Sequence, residues 1–109
     1  MSIVKERRRH PRTTVKWPAT VLTPQTELEG QVENVSPVGA FISFGESPPL
    51  EWDLRLIIKP LNHPTINAVA KMIWSTVLTT DEGSPRFGVG VEFTRISESD
   101  RRFLAGNPE

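Results

Sequence analysis

Apolar residues recur at every second position over most of this sequence, the period of strands with one buried face. Val15, Trp17, Ala19 and Val21 alternate with Thr14, Lys16, Pro18 and Thr20. Pro18 cannot donate to a ladder, so it predicts either an edge strand or a bulge. A second, short strand is predicted over roughly 30–35. A third runs from Gly39 to Phe44, with Ala40, Ile42 and Phe44 on one face. Leu54, Leu56 and Ile58 mark a fourth. Ile66, Ala68, Ala70, Met72 and Trp74 mark a long fifth, and Phe87, Val89, Val91 and Phe93 a sixth. Turn signals rich in proline, glycine and asparagine separate these runs at Thr23-Pro24, Ser47-Pro48-Pro49, Asn62-His63-Pro64 and Asp81-Glu82-Gly83-Ser84-Pro85.

Six short strands, each with one apolar face, predict an all-β fold that closes or nearly closes into an antiparallel barrel, because an open sheet leaves its edges unpaired. Gly88 and Gly90 fall on the face opposite Val89 and Val91, which suits sharp curvature or the close approach of another backbone. The period then changes. Ser97 followed by Asp100 resembles a capping box with Asp in place of Glu. Phe103 and Leu104 supply an apolar face, and Gly106 and Pro108 stop the run, so a helix is expected at about 98–105.

At 109 residues, with 37% hydrophobic and 24% charged, the chain suits one globular domain with a modest core. It has no cysteine, which excludes disulfide scaffolds, thiolate metal sites and thiol nucleophiles. No apolar run approaches the ~18 residues of a membrane span, so no membrane insertion is expected. No secretory signal is visible, and a cytoplasmic location is the expectation. The net charge is zero but unevenly spread. Between Lys5 and Lys16 stand six basic residues and one acid, a net of +5, so the other residues sum to −5. A basic segment on an acidic body suits anion binding. Residues 1–12 are read as a flexible basic arm and 13–109 as the barrel domain.

Nothing in the pattern argues for catalysis. His10 and His63 lie beside prolines, and metal-ligand spacings, nucleophile elbows and phosphate-cradling glycine loops are missing. The chain is read as non-enzymatic and without a cofactor. Two clusters carry chemistry instead. Arg7-Arg8-Arg9-His10-Pro11-Arg12 precedes the first strand, and Asn34-Val35-Ser36-Pro37-Val38-Gly39 joins the second to the third. Taken alone, Asn34 and Ser36 cap a turn, and Gly39 marks a position with positive φ.

Together, Arg8-x-x-x-Arg12 preceded by Arg7, and Asn34-x-Ser36-x-x-Gly39, resemble the two signature motifs of the PilZ domain family. Ala70-x-Met72-x-Trp74 and Phe87-Gly88-Val89-Gly90-Val91-Glu92-Phe93 resemble two further strands of that family, so the likeness spans nearly the whole chain. The resemblance implies a bacterial six-stranded barrel that is a receptor for cyclic di-GMP. Arg7, Arg8 and Arg12 would be contacts from an arm that folds over the ligand. Asn34, Ser36 and Gly39 would be contacts from the barrel. Asn34 stands where many members have Asp and lacks its charge. With no output domain in this sequence, the effect would pass to an unidentified protein partner in trans or through a change of oligomer.

These residue types suit a ligand with two phosphodiesters and two guanines. The planar fork of arginine pairs with phosphate or with guanine O6 and N7, and its face stacks on a purine. The Asn34 side-chain oxygen can accept from the guanine N1–H and N2–H₂ edge, with Ser36 as donor or acceptor beside it. Trp74 ends its strand either at the rim near the ligand or in the core, Trp17 and Trp52 are read as structural, and Arg101 and Arg102 as solvated. A protein-interaction adaptor on the same fold is the alternative reading. Nucleic-acid binding is not expected, because the sequence has no tyrosine and places its phenylalanines mostly inward, leaving few exposed stacking aromatics.

Overall fold

The alternating apolar positions turn into a single interior. In the computed structural model, which describes residues 12–47, 53–79 and 83–106, six strands and one helix follow in chain order. They are β1 (Thr13–Leu22), β2 (Glu27–Ser36), β3 (Gly39–Phe44), β4 (Leu54–Ile58), β5 (Ile66–Leu78), β6 (Arg86–Arg95) and α1 (Glu98–Ala105). The strands are antiparallel and close in the order β1-β2-β3-β6-β5-β4, with β4 pairing back onto β1. The expected fold class, a six-stranded antiparallel barrel with a short C-terminal helix, is the observed one. Val32, Ile42, Phe44, Leu56, Ile58 and Ile66 are among the fully enclosed side chains that fill the barrel.

Closure removes the edge strand that Pro18 allowed as a possibility. The Pro18 carbonyl accepts from Lys59 N at 2.9 Å, and the β1–β4 ladder begins one residue on, at Ala19 with Ile58. Pro18 therefore makes the one ladder bond a proline can make, at the end of a ladder where the missing N–H costs least. The β1–β2 register also shifts between Thr14 and Trp17, so the bulge expected near Pro18 is present.

Strand β2 is longer than the sequence pattern indicated, because it starts at Glu27 rather than near Gly30. Gly30, where the pattern began the strand, lies within it and makes room. A Cβ there would lie 2.5 Å from the Phe44 ring. Strand β5 also runs on to Leu78. Its register shifts between Met72 and Trp74, and this breaks the alternation that put Trp74 on the core face.

Helix α1 closes one side of the barrel. Leu104 is buried in the core and Phe103 packs against it. Ser97 has the extended backbone of an N-cap, and its Oγ accepts from Asp100 N at 3.1 Å. Only this half of the capping box forms, because the Asp100 carboxylate is engaged elsewhere, 2.9 Å from His63 Nε2. His63, expected simply in a loop, stacks on Phe103 with ring centroids 3.8 Å apart, and Phe103 in turn stacks on Trp17.

Candidate functional site

The strand registers set one row of residues across the outer face of the barrel. Thr14 pairs with Asn34, Asn34 with Phe41, Phe41 with Gly90, and Gly90 with Trp74. Paired residues in an antiparallel sheet point to the same face. The row thus leads from the base of the arginine segment, through an amide, to two aromatic rings.

At one end, Arg12 Nη1 donates to Asn34 Oδ1 at 2.8 Å, across 22 positions of sequence. The last arginine of the first motif and the first residue of the second are in contact. Arg12 is exposed and Asn34 half-buried, so the pair is open to an incoming ligand. Arg7 and Arg8, with Arg9 and His10, lie outside the described residues, as does Trp52.

Asn34 and Ser36 belong to strand β2, and only Pro37 and Val38 form the turn between β2 and β3. Ser36 is buried, and its Oγ accepts from Val38 N at 3.2 Å. Two further bonds tie the turn down. Phe93 N donates to Val38 O at 2.8 Å, and Arg101 Nη1 donates to Pro37 O at 3.2 Å. Arg101 is thus a partner of the signature turn rather than a solvated surface residue. Arg102 is the exposed one, 3.9 Å from Glu98. The positive φ expected at Gly39 is also corrected. Among the described residues only Gly83 has one, at 84°. Glycine is needed at 39 for space, since a Cβ would sit 2.3 Å from the Val91 carbonyl oxygen.

At the other end of the row, Trp74 is 45% exposed and stacks on Phe41 with centroids 5.2 Å apart and planes 15° from parallel. It belongs to the outer surface and not to the core. The two rings lie on the bare backbone of β6. A Cβ at Gly90 would come within 2.3 Å of Trp74 Nε1, and one at Gly88 within 2.5 Å of Phe41 Cζ. Gly88 and Gly90 were expected to admit another backbone or a sharp bend, and instead they seat an aromatic shelf.

Phe41 was missed as a site residue, although parity could have found it. It alternates with the buried Ala40 and Ile42 and therefore points outward, opposite the two glycines. A polar network adjoins the shelf. Ser43 Oγ donates to Glu33 Oε2 at 2.6 Å, Gln31 Nε2 donates to the same oxygen at 3.0 Å, and Arg86 Nη2 donates to Ser43 Oγ at 3.1 Å. Among the described residues no group of three or more His, Asp or Glu side chains could hold a metal ion. No helix among them is long and apolar enough to cross a membrane. A groove of about 760 Å³ at the opposite end of β1 and β2, lined by Thr23, Gln25, Asp53 and Arg55, shares no residue with the row.

A family model described as the PilZ domain matches residues 6–106. No curated protein matches the sequence. Solved structures do match. The PilZ domain of YcgR from Escherichia coli, determined with c-di-GMP, superposes with a TM-score of 0.71 at 14% identity, over 90% of this chain and 86% of that one. The motility inhibitor MotI/DgrA of Bacillus subtilis gives 0.70 at 22% identity, over 90% of this chain and 47% of that one. The MrkH–c-di-GMP complex from K. pneumonia gives 0.73 at 14% identity, over 89% and 48%. The chain spans about half the length of the last two. At such identities the likeness establishes a shared barrel.

Proposed function

Because the chain belongs to the PilZ domain family, we propose that it is a non-enzymatic receptor for cyclic di-GMP, which binds on the outer row of the barrel. The observation that carries this reading is the Arg12–Asn34 contact of 2.8 Å, which joins the two motifs at one point of the surface. The YcgR domain and MrkH, both of the same fold, were solved with c-di-GMP.

In this reading Arg12 exchanges its amide partner for a phosphodiester, with Arg7 and Arg8 closing over the same ligand. Guanidinium–phosphate pairs are charge-assisted and bidentate, and contribute about 1.5–3 kcal/mol per bond. The exchange frees Asn34 Oδ1 to accept from the donor edge of a guanine. The Ser36 hydroxyl keeps a proton to donate, since its oxygen is the acceptor for Val38 N. Gly39 holds the turn against β6, and Trp74 with Phe41 offers a flat surface for a purine. Output passes to a protein partner in trans.

A second reading is a PilZ-fold adaptor with little ligand affinity. The exposed Ile73 and Val77 on β5, beside Trp74, favour a protein-contact surface. Isothermal titration calorimetry decides between the two, using cyclic di-GMP with cyclic di-AMP and GMP as controls. Saturable binding that is much tighter for cyclic di-GMP than for either control, and lost in Arg8→Ala, is the expected result. No saturation at high micromolar ligand would leave the adaptor.

A further inference from the structure

The register shift in β2 falls between Val32 and Asn34. Val32 and Val35 are both fully buried, so the two residues between them, Glu33 and Asn34, emerge together on the outer face. This is the effect of a bulge, which re-aims a side chain without breaking the strand. It sets a carboxylate directly beside the motif amide.

That carboxylate is held in place. Its two hydrogen bonds among the described residues, from Ser43 Oγ and Gln31 Nε2, both go to Oε2. Ser43 is 1% exposed and receives Arg86 Nη2, so its single proton is committed to Glu33. Among the described residues Oε1 accepts no hydrogen bond, and it is not sealed from solvent, Glu33 being half-buried. No cation among the described residues forms an ion pair with Glu33. Arg86 acts on it only through the Ser43 hydroxyl.

A fixed carboxylate beside the docking place of a dianion penalises every ligand that does not bring donors to it. Guanine brings two on one edge, N1–H and N2–H₂, and either can be given to Oε1. Adenine offers a lone pair at N1, which opposes Oε1. We propose that Glu33 selects the base: its Oε1 accepts from the N1–H and N2–H₂ edge of a guanine laid on the outer face, sharing that edge with Asn34 Oδ1, and supplies the charge that Asn34 lacks. Ser43 and Arg86 are positioning residues for it. The proposal rests on the receptor reading above and goes beyond it by assigning specificity to a residue outside both signature motifs.

The test is calorimetry of the wild-type chain and Glu33→Gln with cyclic di-GMP, cyclic GMP–AMP and cyclic di-AMP. Gln keeps the size of the side chain and an acceptor for Ser43, but loses the charge. The expected result is at least a tenfold weaker affinity for cyclic di-GMP, with affinity for the adenine ligands unchanged or improved, so that the preference for guanine collapses. A merely structural role would weaken all three ligands alike, and plain charge repulsion would make all three tighter. Either of those outcomes, or an unchanged ratio, overturns the proposal. Ser43→Ala, which removes one of the two bonds that hold the carboxylate, should lower the guanine preference by a smaller factor and carries the test if Glu33→Gln does not fold by circular dichroism. If the wild-type chain binds no cyclic di-GMP, the receptor reading falls and this proposal with it. Normal wild-type binding with unaltered selectivity in the variants overturns this proposal alone.

Discussion

Single side chains on the outer row do several jobs within a few ångströms, and their substitutions separate those jobs. Asn34→Ala removes the acceptor of Arg12 without touching the core. It should weaken cyclic di-GMP binding by roughly 10–100-fold, the cost of leaving a guanine donor unpaired in the complex, while leaving the urea midpoint nearly unchanged. Gly39→Ala should do the reverse. Its Cβ would meet the Val91 carbonyl, a backbone atom that cannot step aside, and overpacking of this kind costs about 1–3 kcal/mol. The loss would show as a lower urea midpoint. The motif residues were legible in the sequence as types at a spacing. The reason for each was not. Gly39 suggested a positive φ, and the need for it lies instead in a strand 52 residues away. Phe41 was legible by parity alone, since an outward aromatic opposite two outward glycines has no use inside the barrel.

Helix α1, together with β6, ties the signature turn to the rest of the fold. Arg101 reaches Pro37, Asp100 reaches His63, and Leu104 fills the core. Leu104→Ala should cost about 2–5 kcal/mol, as for other buried leucines, and Ser97→Ala about 1 kcal/mol through the lost cap. Both are measurable by thermal or urea unfolding. Arg101→Ala loses only one half-exposed bond to a carbonyl, so stability should change by less than about 1 kcal/mol. Its expected signature is a change in the amide resonances of residues 36–39. The helix itself was legible, with its cap, its apolar pair and its stop. Its contacts were not, because capping and periodicity are local signals, and the partners at residues 37 and 63 are set by barrel closure. The same holds for β5. Alternation from Ile66 to Met72 is true to the structure, but the bulge at residue 73 reverses the sense of everything beyond it.

Across the whole molecule, the pairing of β1 with β4 and of β3 with β6 joins distant parts of the chain. Closing such loops precedes the gain from their contacts, so refolding should take milliseconds to seconds rather than microseconds. Stopped-flow tryptophan fluorescence would measure it, with Trp17 and Trp74 as probes inside and outside the barrel. The zero net charge hides a basic segment on an acidic body. A compact ligand with two phosphates engages few cations, so its affinity should fall only shallowly with salt. A steep dependence would instead mark binding to a polyanion through many phosphate contacts.

The sequence by itself determined the class of the fold, the number of strands, the helix and the residue types of both motifs. These follow from period, punctuation and composition, which are properties of near neighbours along the chain. Tertiary structure alone decided which strands meet and therefore which residues share the outer row. It decided between rim and core for Trp74, setting it on the outer surface, gave the glycines of β6 their use as seats for two rings, and brought Glu33 out beside Asn34. The physical reason is common to all of these. A bulge adds one residue to one strand and inverts the facing of all that follows, and closure of the barrel brings together residues that no local pattern relates.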